Sequence, residues 1–346
     1  MKILLSSHAF HPSIGGIETV AAMLASEFVA RSEEVRVVTQ TPKNETKHFS
    51  FEIVRRPSAR KLLSLIAWSD VVLHVNISLR LGWPMLSGAR PWVISHHTWI
   101  PGGLRGLLKR RCARMAHNIS VSQAVARALG TASTVIPNAY DHDVFRVLAD
   151  VPRDRDFVFL GRLVSDKGVE CALMALRLIR EKGLASNLTI IGTGPEEAKL
   201  RRFAQELGIA QQVLFAGVKR DDELARELNR HKVMLIPSLW QEPFGVVALE
   251  GIACGCVVVG SNKGGLPEAI GPCGMTFPNG DPAALANCLL KLASNNETPS
   301  QFRKHAPAHL ARFRKPLVAE RYLEVLKFAS NPQRVPAASR LRQDQC

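Results

Sequence analysis

Two carboxylates eight positions apart, Glu242 and Glu250, straddle a helix start in the run Pro237-Ser238-Leu239-Trp240-Gln241-Glu242-Pro243-Phe244-Gly245-Val246-Val247-Ala248-Leu249-Glu250. Proline is tolerated in the first turn of a helix but not in its interior, and glycine resists helix, so the helix is expected to begin between Pro243 and Val246. Glu242 then sits in a loop, with Glu250 one to two turns inside the helix. They are not a stacked i,i+4 pair and are expected to contact different parts of one ligand. The amides of Phe244, Gly245 and Val246 lack intrahelical acceptors and suit a phosphate or a sugar hydroxyl, which points to a sugar-nucleotide site. By spacing alone the same residues equally describe a strand, a loop and an amphipathic helix with a glutamate at its start.

Other residues with chemical potential are scattered along the chain. His96 and His97 end the apolar run Pro91–Ser95, where an isolated histidine is ordinarily a satisfied polar group. Pro12-Ser13-Ile14-Gly15-Gly16-Ile17-Glu18 is a Gly-Gly turn running into a helical pattern, which permits close backbone approach to a phosphate and is also a common turn. Gly192-Thr193-Gly194 follows another apolar run but lacks the third glycine of a dinucleotide fingerprint. Ser261-Asn262-Lys263-Gly264-Gly265-Leu266-Pro267-Glu268 is a further glycine loop opening a helix, with Glu268 suited to a helix N-terminus. Asp141-His142-Asp143 is formally an Asp-x-Asp triplet of the kind that binds a divalent cation. It follows Pro137-Asn138 instead of closing a strand, and reads as a turn and linker.

These residues need a scaffold that brings loops together. Short apolar runs at 2–6, 35–39, 51–54, 71–75, 92–95, 118–121 and 134–136 in the first half alternate with helical patterns such as 18–31. Runs at 157–160, 188–191, 213–215, 233–236 and 256–259 do so in the second, with helices near 168–182, 196–207, 221–231 and 246–254. Near-continuous Val/Ile/Leu runs separated by helices predict parallel sheets covered on both faces, hence two doubly wound α/β domains dividing near Asp150. In such sheets ligands bind beyond the carboxyl ends of the strands, where these motifs fall.

With 346 residues and 46% hydrophobic content, the chain has ample material for two globular domains. It has no run of eighteen apolar residues, and its first residues turn polar too soon for a signal peptide, so a cytoplasmic location is expected. The Asn-x-Ser/Thr matches at Asn44, Asn76, Asn118 and Asn296 are then coincidental. Seven cysteines without staple spacing fit a reducing compartment, and Cys254-Gly255-Cys256 reads as a helix end and a buried strand where thiols pack as hydrophobes. No Cys/His cluster has zinc-ligand spacing.

The net charge of +15 is concentrated. Between Asp70 and Asp141 there is no acidic residue, while Arg80, Arg90, Arg105, Lys109, Arg110, Arg111, Arg114 and Arg127 fall in that window, favouring an anionic partner. In 104–115, Leu104, Leu107, Leu108 and Met115 at helical spacing alternate with five cations. Two readings stand: an acceptor or acidic-membrane surface formed by Arg105, Lys109, Arg110, Arg111 and Arg114, or a core-facing helix with a solvated basic face. Nucleic-acid binding lacks the aromatic-basic interleaving it would need.

The run 237–250 resembles the E-x7-E signature of glycosyltransferase family 4, the retaining, GT-B-fold transferases of group 1 type. The family pattern P-S-x-x-E-x-F-G-x-x-x-x-E-A is met except at Gly251, where alanine is usual. Phe159-Leu160-Gly161-Arg162-Leu163-Val164-Ser165-Asp166-Lys167-Gly168 resembles the family's G-R-L-x-x-x-K-G motif, and Pro137-Asn138-Ala139-Tyr140-Asp141 through Phe145 its segment before the interdomain crossover. The resemblance covers about residues 1–328 and implies a GT-B fold, two Rossmann-like domains facing across a cleft. An acceptor-binding domain would span 1–150 and a nucleotide-sugar domain 151–312. A helix over 313–330 would cross back to the first domain, followed by a flexible tail over 331–346.

It also implies roles. Glu250 would hold the ribose hydroxyls, and Glu242 with the following amides the donor sugar. Arg162 and Lys167 would clamp the leaving diphosphate, one as a planar fork of donors and the other as a point charge. His97 would contact the donor sugar and help position the acceptor, with His96 the adjacent alternative. The amide at Gly16, after Gly15, would meet the diphosphate; Gly192 and Gly194 would line the nucleotide side, and Gly264 and Gly265 the diphosphate or sugar. The expected function is retaining transfer from a nucleoside-diphosphate sugar, UDP- or GDP-linked, to a glycan or lipid-linked acceptor of bacterial polysaccharide or envelope synthesis. No cofactor or metal is expected, no nucleic acid, and peripheral contact with an anionic membrane is compatible. The alternatives are a non-catalytic nucleotide-sugar-binding partner or another GT-B enzyme such as an epimerase, which lacks the Pro-Phe-Gly run.

Overall fold

The computed structural model describes residues 1–331 except 14, 44–47 and 295–296. The chain divides into two compact units, one from Met1 to Asn138 joined by the segment beginning at Lys315, the other from Ala139 to Arg314. The expected borders were 150 and 312. Asn44 and Asn296, and all of the expected 331–346 tail after Asn331, lie outside the described residues.

The first unit is a seven-stranded parallel sheet: β1 (Lys2–Ser7), β2 (Glu34–Thr39), β3 (Glu52–Arg55), β4 (Val71–Val75), β5 (Trp92–His96), β6 (His117–Ser120) and β7 (Thr134–Val135). Their spatial order is β3-β2-β1-β4-β5-β6-β7, so the order reverses between β1 and β4. Ile3, Leu4 and Leu5 are fully buried, as expected of a central strand covered on both faces. On one face, Leu4, Val38, Val72 and Ile94 pack under Leu62, Leu65 and Ile66 of the helix Ala59–Trp68. That helix starts where the Ser58 side chain accepts from the Lys61 amide at 3.3 Å. The helix Lys315–Ser330 lies against β4, β5 and the helix Gly16–Ala30.

The second unit repeats the logic with six strands: β8 (Arg155–Leu160), β9 (Leu188–Ile191), β10 (Val213–Gly217), β11 (His231–Ile236), β12 (Val257–Ser261) and β13 (Gly274–Phe277). The order β10-β9-β8-β11-β12-β13 reverses between β8 and β11, and every pairing is parallel. Its core joins Phe157, Phe159, Val233, Leu235, Val257 and Val259 to the buried stripe of the helix Val169–Glu181. Cys254 and Cys256 are buried there, and Cys256 Sγ donates to the Leu228 and His231 carbonyls, so the thiols pack as hydrophobes. β13 is an edge strand that the sequence reading passed over. Its first residue must be small, because a Cβ at Gly274 would overlap the Val258 carbonyl of the neighbouring strand.

No helix among the described residues is long and apolar enough to cross a membrane.

Candidate functional site

In the second unit the sequence-picked residues gather at the carboxyl ends of β8, β9, β11 and β12, around the point where the strand order reverses. Doubly wound sheets open a ligand crevice at such a point. The helix expected after Pro243 begins at Val246 and ends at Ala253, with Gly245 before it in a left-handed conformation at φ 104°. A side chain there would be strained and would meet Leu266 Cδ1 at 2.7 Å. No side chain caps this helix start, which leaves its first amides for an external acceptor. The Phe244 ring takes no part, being buried against Phe313 at 5.8 Å between ring centroids. Phe244 thus anchors the loop and offers only its backbone.

Glu242 is held from four directions. Lys167 Nζ lies 2.6 Å from its Oε1 and the Ser238 hydroxyl donates to the same atom at 2.8 Å. Its carbonyl accepts from the Gly265 amide at 2.7 Å, and its backbone bridges Gly264. Gly264, at φ 77°, needs to be glycine: a Cβ would overlap the Glu242 carbonyl oxygen. Gly264 and Gly265 therefore fix Glu242, a role within the protein itself. The loop is tied further by the amides of Leu239 and Trp240, which both donate to the Asp166 carbonyl, and by Asn279 Nδ2, which donates to the Ser238 carbonyl at 2.9 Å.

Lys167 closes a short 3₁₀ turn, Ser165–Lys167, and Gly168 follows at φ 67° where a Cβ would overlap the Pro237 carbonyl. Close approach of the β8 and β11 loops brings Lys167 onto Glu242. Arg162 is exposed and its guanidinium makes no hydrogen bond or ion pair among the described residues. Gly192, at φ 129°, and Gly194 press the loop after β9 onto the backbone of Gly161 and Leu163, whose carbonyls a side chain would overlap. The Gly161 and Leu163 amides donate to Ile191 and Thr193 carbonyls, both at 3.0 Å. These two glycines support the Arg162 segment, which accounts for them without any nucleotide.

Glu250 is only partly exposed. The protein packed around it, and secondarily the Asp141 carboxylate, push its pKa up to about 7. Asp141 stands in a turn in which its Oδ1 accepts from the Asp143 amide at 3.2 Å. Among the described residues, no three His, Cys, Asp or Glu side chains cluster as metal ligands do.

In the first unit His97 follows β5 directly. It is 7% exposed, and burial lowers its pKa to about 4, so the ring is neutral at physiological pH. Its amide donates to Asn76 Oδ1 at 2.7 Å, and its Nε2 is 2.7 Å from Ser95 Oγ. His96 instead ends the strand itself, with Nε2 at 2.9 Å from Asn118 Oδ1, beside a cavity of about 80 Å³ lined in part by Trp99, Arg110 and Leu129. Gly15 precedes the helix Gly16–Ala30, and a Cβ on it would meet only the end of the Glu18 side chain, whereas the space around Gly16 is open.

The segment 104–115 forms a helix over Gly103–Arg114. Its leucines do not face the core: Leu104 is 73% exposed, Leu107 63% and Leu108 44%, with Met115 just after it at 50%. Arg105, Arg111 and Arg114 are exposed and Lys109 is half-buried. Arg110 turns inward, donating to the Ile100 and Ala128 carbonyls.

Comparison with known proteins accounts for both halves. The family model for glycosyl transferases group 1 matches residues 143–309, and that for glycosyltransferase family 4 matches residues 14–144. The chain belongs to the family 4, group 1 type glycosyltransferases. It is 33% identical over 164 residues to the D-inositol 3-phosphate glycosyltransferase of Corynebacterium jeikeium, an alignment covering 45% of this chain and 39% of that relative. It is 29% identical over 274 residues to the phosphatidyl-myo-inositol mannosyltransferase of Mycobacterium leprae, covering 74% and 72%. The match thus spans well under half the length of the first of these relatives. Among solved structures, Anabaena HepE in complex with UDP superposes with a TM-score of 0.80 at 20% identity, over 94% of this chain and all of that one. That likeness establishes the GT-B architecture.

Several positions went unseen in the sequence reading. Ser238, Asn279 and the Asp166 carbonyl hold the Glu242 loop, and Asp141 was placed in a linker with no sign of its proximity to Glu250. Ser238 alone carried a signal, being part of the Pro-Ser that opens the family motif.

Proposed function

We propose that this protein transfers a sugar, with retention of configuration, from a nucleoside-diphosphate sugar to a hydroxyl of a glycan or lipid-linked acceptor. The observation that carries the reading is the Lys167–Glu242 pair beside the uncapped helix start at Val246. A lysine ammonium has three donors, so Lys167 can hold Glu242 with one and reach a diphosphate with the others. Arg162 and the amides of Gly245 and Val246 add preorganised positive potential where phosphate charge develops as the glycosidic bond breaks. Glu242 accepts from donor-sugar hydroxyls, and Glu250 from the ribose. The leaving phosphate takes the acceptor proton on the same face, so no side chain is needed as general base and no metal to neutralise the diphosphate. His97, neutral in the resting protein, positions donor and acceptor.

Uridine is the favoured base, supported by the UDP in HepE. The acceptor assignment to bacterial polysaccharide or envelope glycan synthesis is supported by the inositol-phosphate and phosphatidylinositol names of the relatives and by the exposed leucines between cations on the helix Gly103–Arg114. That face suits peripheral attachment to an anionic bilayer from the cytoplasmic side. Calorimetric titration with UDP, GDP and ADP tests the donor site: micromolar binding of one of them, lost in Glu250→Ala, is expected. Absence of binding by all three would contradict it.

A further inference from the structure

A buried line of two hydroxyls stands behind His97. Ser95 Oγ lies 2.7 Å from His97 Nε2 and 2.6 Å from the Tyr322 hydroxyl. Ser95 and His97 are two positions apart at the end of β5 and so share a side. Tyr322 comes from the helix Lys315–Ser330, which packs on the same sheet. Ser95 and Tyr322 are 0% and 1% exposed, so the protein itself must satisfy their hydroxyls.

Each hydroxyl has one hydrogen to give and lone pairs to receive; if Nε2–H and Tyr322 both donated to Ser95, the buried Ser95 hydrogen would have no acceptor among the described residues, which leaves two continuous arrangements. In one, Tyr322 donates to Ser95, Ser95 donates to His97 Nε2, and the imidazole carries its proton on Nδ1. In the other, Nε2–H donates to Ser95 and Ser95 donates to Tyr322. The phenol hydrogen is then orphaned, because Tyr322 has no other hydrogen-bond partner among the described residues. A buried donor without an acceptor is costly. Asn138 points the same way. His97 Nδ1 and Asn138 Oδ1 are both buried and without a geometric hydrogen-bond partner, and the two groups are neighbours. Only the first arrangement sets a donor, not a second lone pair, beside that acceptor. The phenol stays protonated, since burial raises its pKa well above the usual value.

We propose that Tyr322, acting through Ser95, is a positioning residue that fixes His97 as the Nδ1–H tautomer directed at Asn138 Oδ1, so that both ring nitrogens are engaged within the protein and the imidazole meets substrate as a fixed ring, not as a base. The role toward substrate rests on the transferase reading, whereas the tautomer does not.

The test is long-range proton–nitrogen correlation on full-length, ¹⁵N-histidine-labelled protein without substrate, the His97 signals being assigned by their loss in His97→Gln. The wild type should show Nδ1 protonated and Nε2 bare. Tyr322→Phe should yield a mixture of tautomers, Ser95→Ala likewise, and Ser95→Thr, which keeps the hydroxyl, the wild-type pattern. A wild-type Nε2–H tautomer would overturn the proposal, as would an unchanged tautomer in either Tyr322→Phe or Ser95→Ala. If Tyr322→Phe does not fold, Ser95→Ala decides. In turnover, Tyr322→Phe should lower kcat by about tenfold, the worth of one hydrogen bond, while donor KM stays within about twofold. A shifted tautomer with unchanged kcat would remove the substrate-facing half. Should the wild type turn over no donor at all, the transferase reading fails while the spectra still decide the relay.

Discussion

Replacing Lys167 with methionine separates structural from electrostatic roles. The change keeps the length and apolar stem of the side chain and removes the ammonium. Glu242 then retains the Ser238 hydroxyl at 2.8 Å as its side-chain donor. Stranding a fully buried carboxylate costs about 3–5 kcal/mol. The pair is part-exposed, 27% for Lys167 and 13% for Glu242, so solvent screening reduces the cost to about 1–2 kcal/mol. For a unit of this size, about 2–4 °C per kcal/mol gives a fall in Tm of roughly 2–8 °C. The protein stays folded at 25 °C. If Lys167 also stabilises charge on the departing diphosphate, losing one preorganised donor should lower kcat by about 10²–10³-fold, equivalent to roughly 3–4 kcal/mol. The assay is release of nucleoside diphosphate at saturating donor, paired with thermal unfolding. Glu242→Gln, alone and combined, completes a cycle in which the coupling shows in both readouts. A kcat within about fivefold of wild type, with Tm lowered as expected, would mean that Lys167 merely holds Glu242 and that the diphosphate assignment is wrong.

Other perturbations follow from the same geometry. Because the folded pKa of Glu250 is raised to about 7 from its usual 4.5, its contribution to stability is present below about 4.5 and is lost as pH rises towards 7. Nucleotide affinity should move oppositely, strengthening as pH rises through 7 because the ionised carboxylate accepts better from ribose hydroxyls; Asp141→Asn should shift that midpoint down, and an unmoved midpoint in titration calorimetry would discount Asp141. Gly264→Ala places a methyl on the Glu242 carbonyl and demands a left-handed alanine, so about 2–3 kcal/mol of stability and at least tenfold in kcat should be lost, checked by denaturant unfolding and turnover. Excess EDTA should leave turnover within about twofold, whereas loss restored by manganese would make Asp141 and Asp143 metal ligands.

The strands were legible because parallel strands buried on both faces carry unbroken Val/Ile/Leu runs; β13 was not, being a four-residue edge strand that opens on glycine and is only half-buried. The helix start at Val246 was readable from Pro243 and Gly245, whose constraints act locally. Pairings were hidden because chain folding, not spacing, decides them: Lys167 and Glu242 are 75 positions apart, Ser95 and Tyr322 227. The glycines at 192, 194 and 264, which the family resemblance assigns to the nucleotide side and to the diphosphate or sugar, each meet a neighbouring backbone carbonyl that by itself requires a missing side chain. The leucines of the helix Gly103–Arg114 left two readings open because helical spacing shows which residues share a face but not what that face meets.

The central claim is turnover of a nucleotide sugar, and the direct measurement is release of UDP, GDP or ADP from a panel of their hexose conjugates, with a bacterial membrane lipid extract as acceptor. The account predicts acceptor-dependent release from one donor class, with the new linkage keeping the donor's anomeric configuration and activity lowered by at least about 10²-fold in Lys167→Ala. An absence of release from every donor, or a product of inverted configuration, would contradict it.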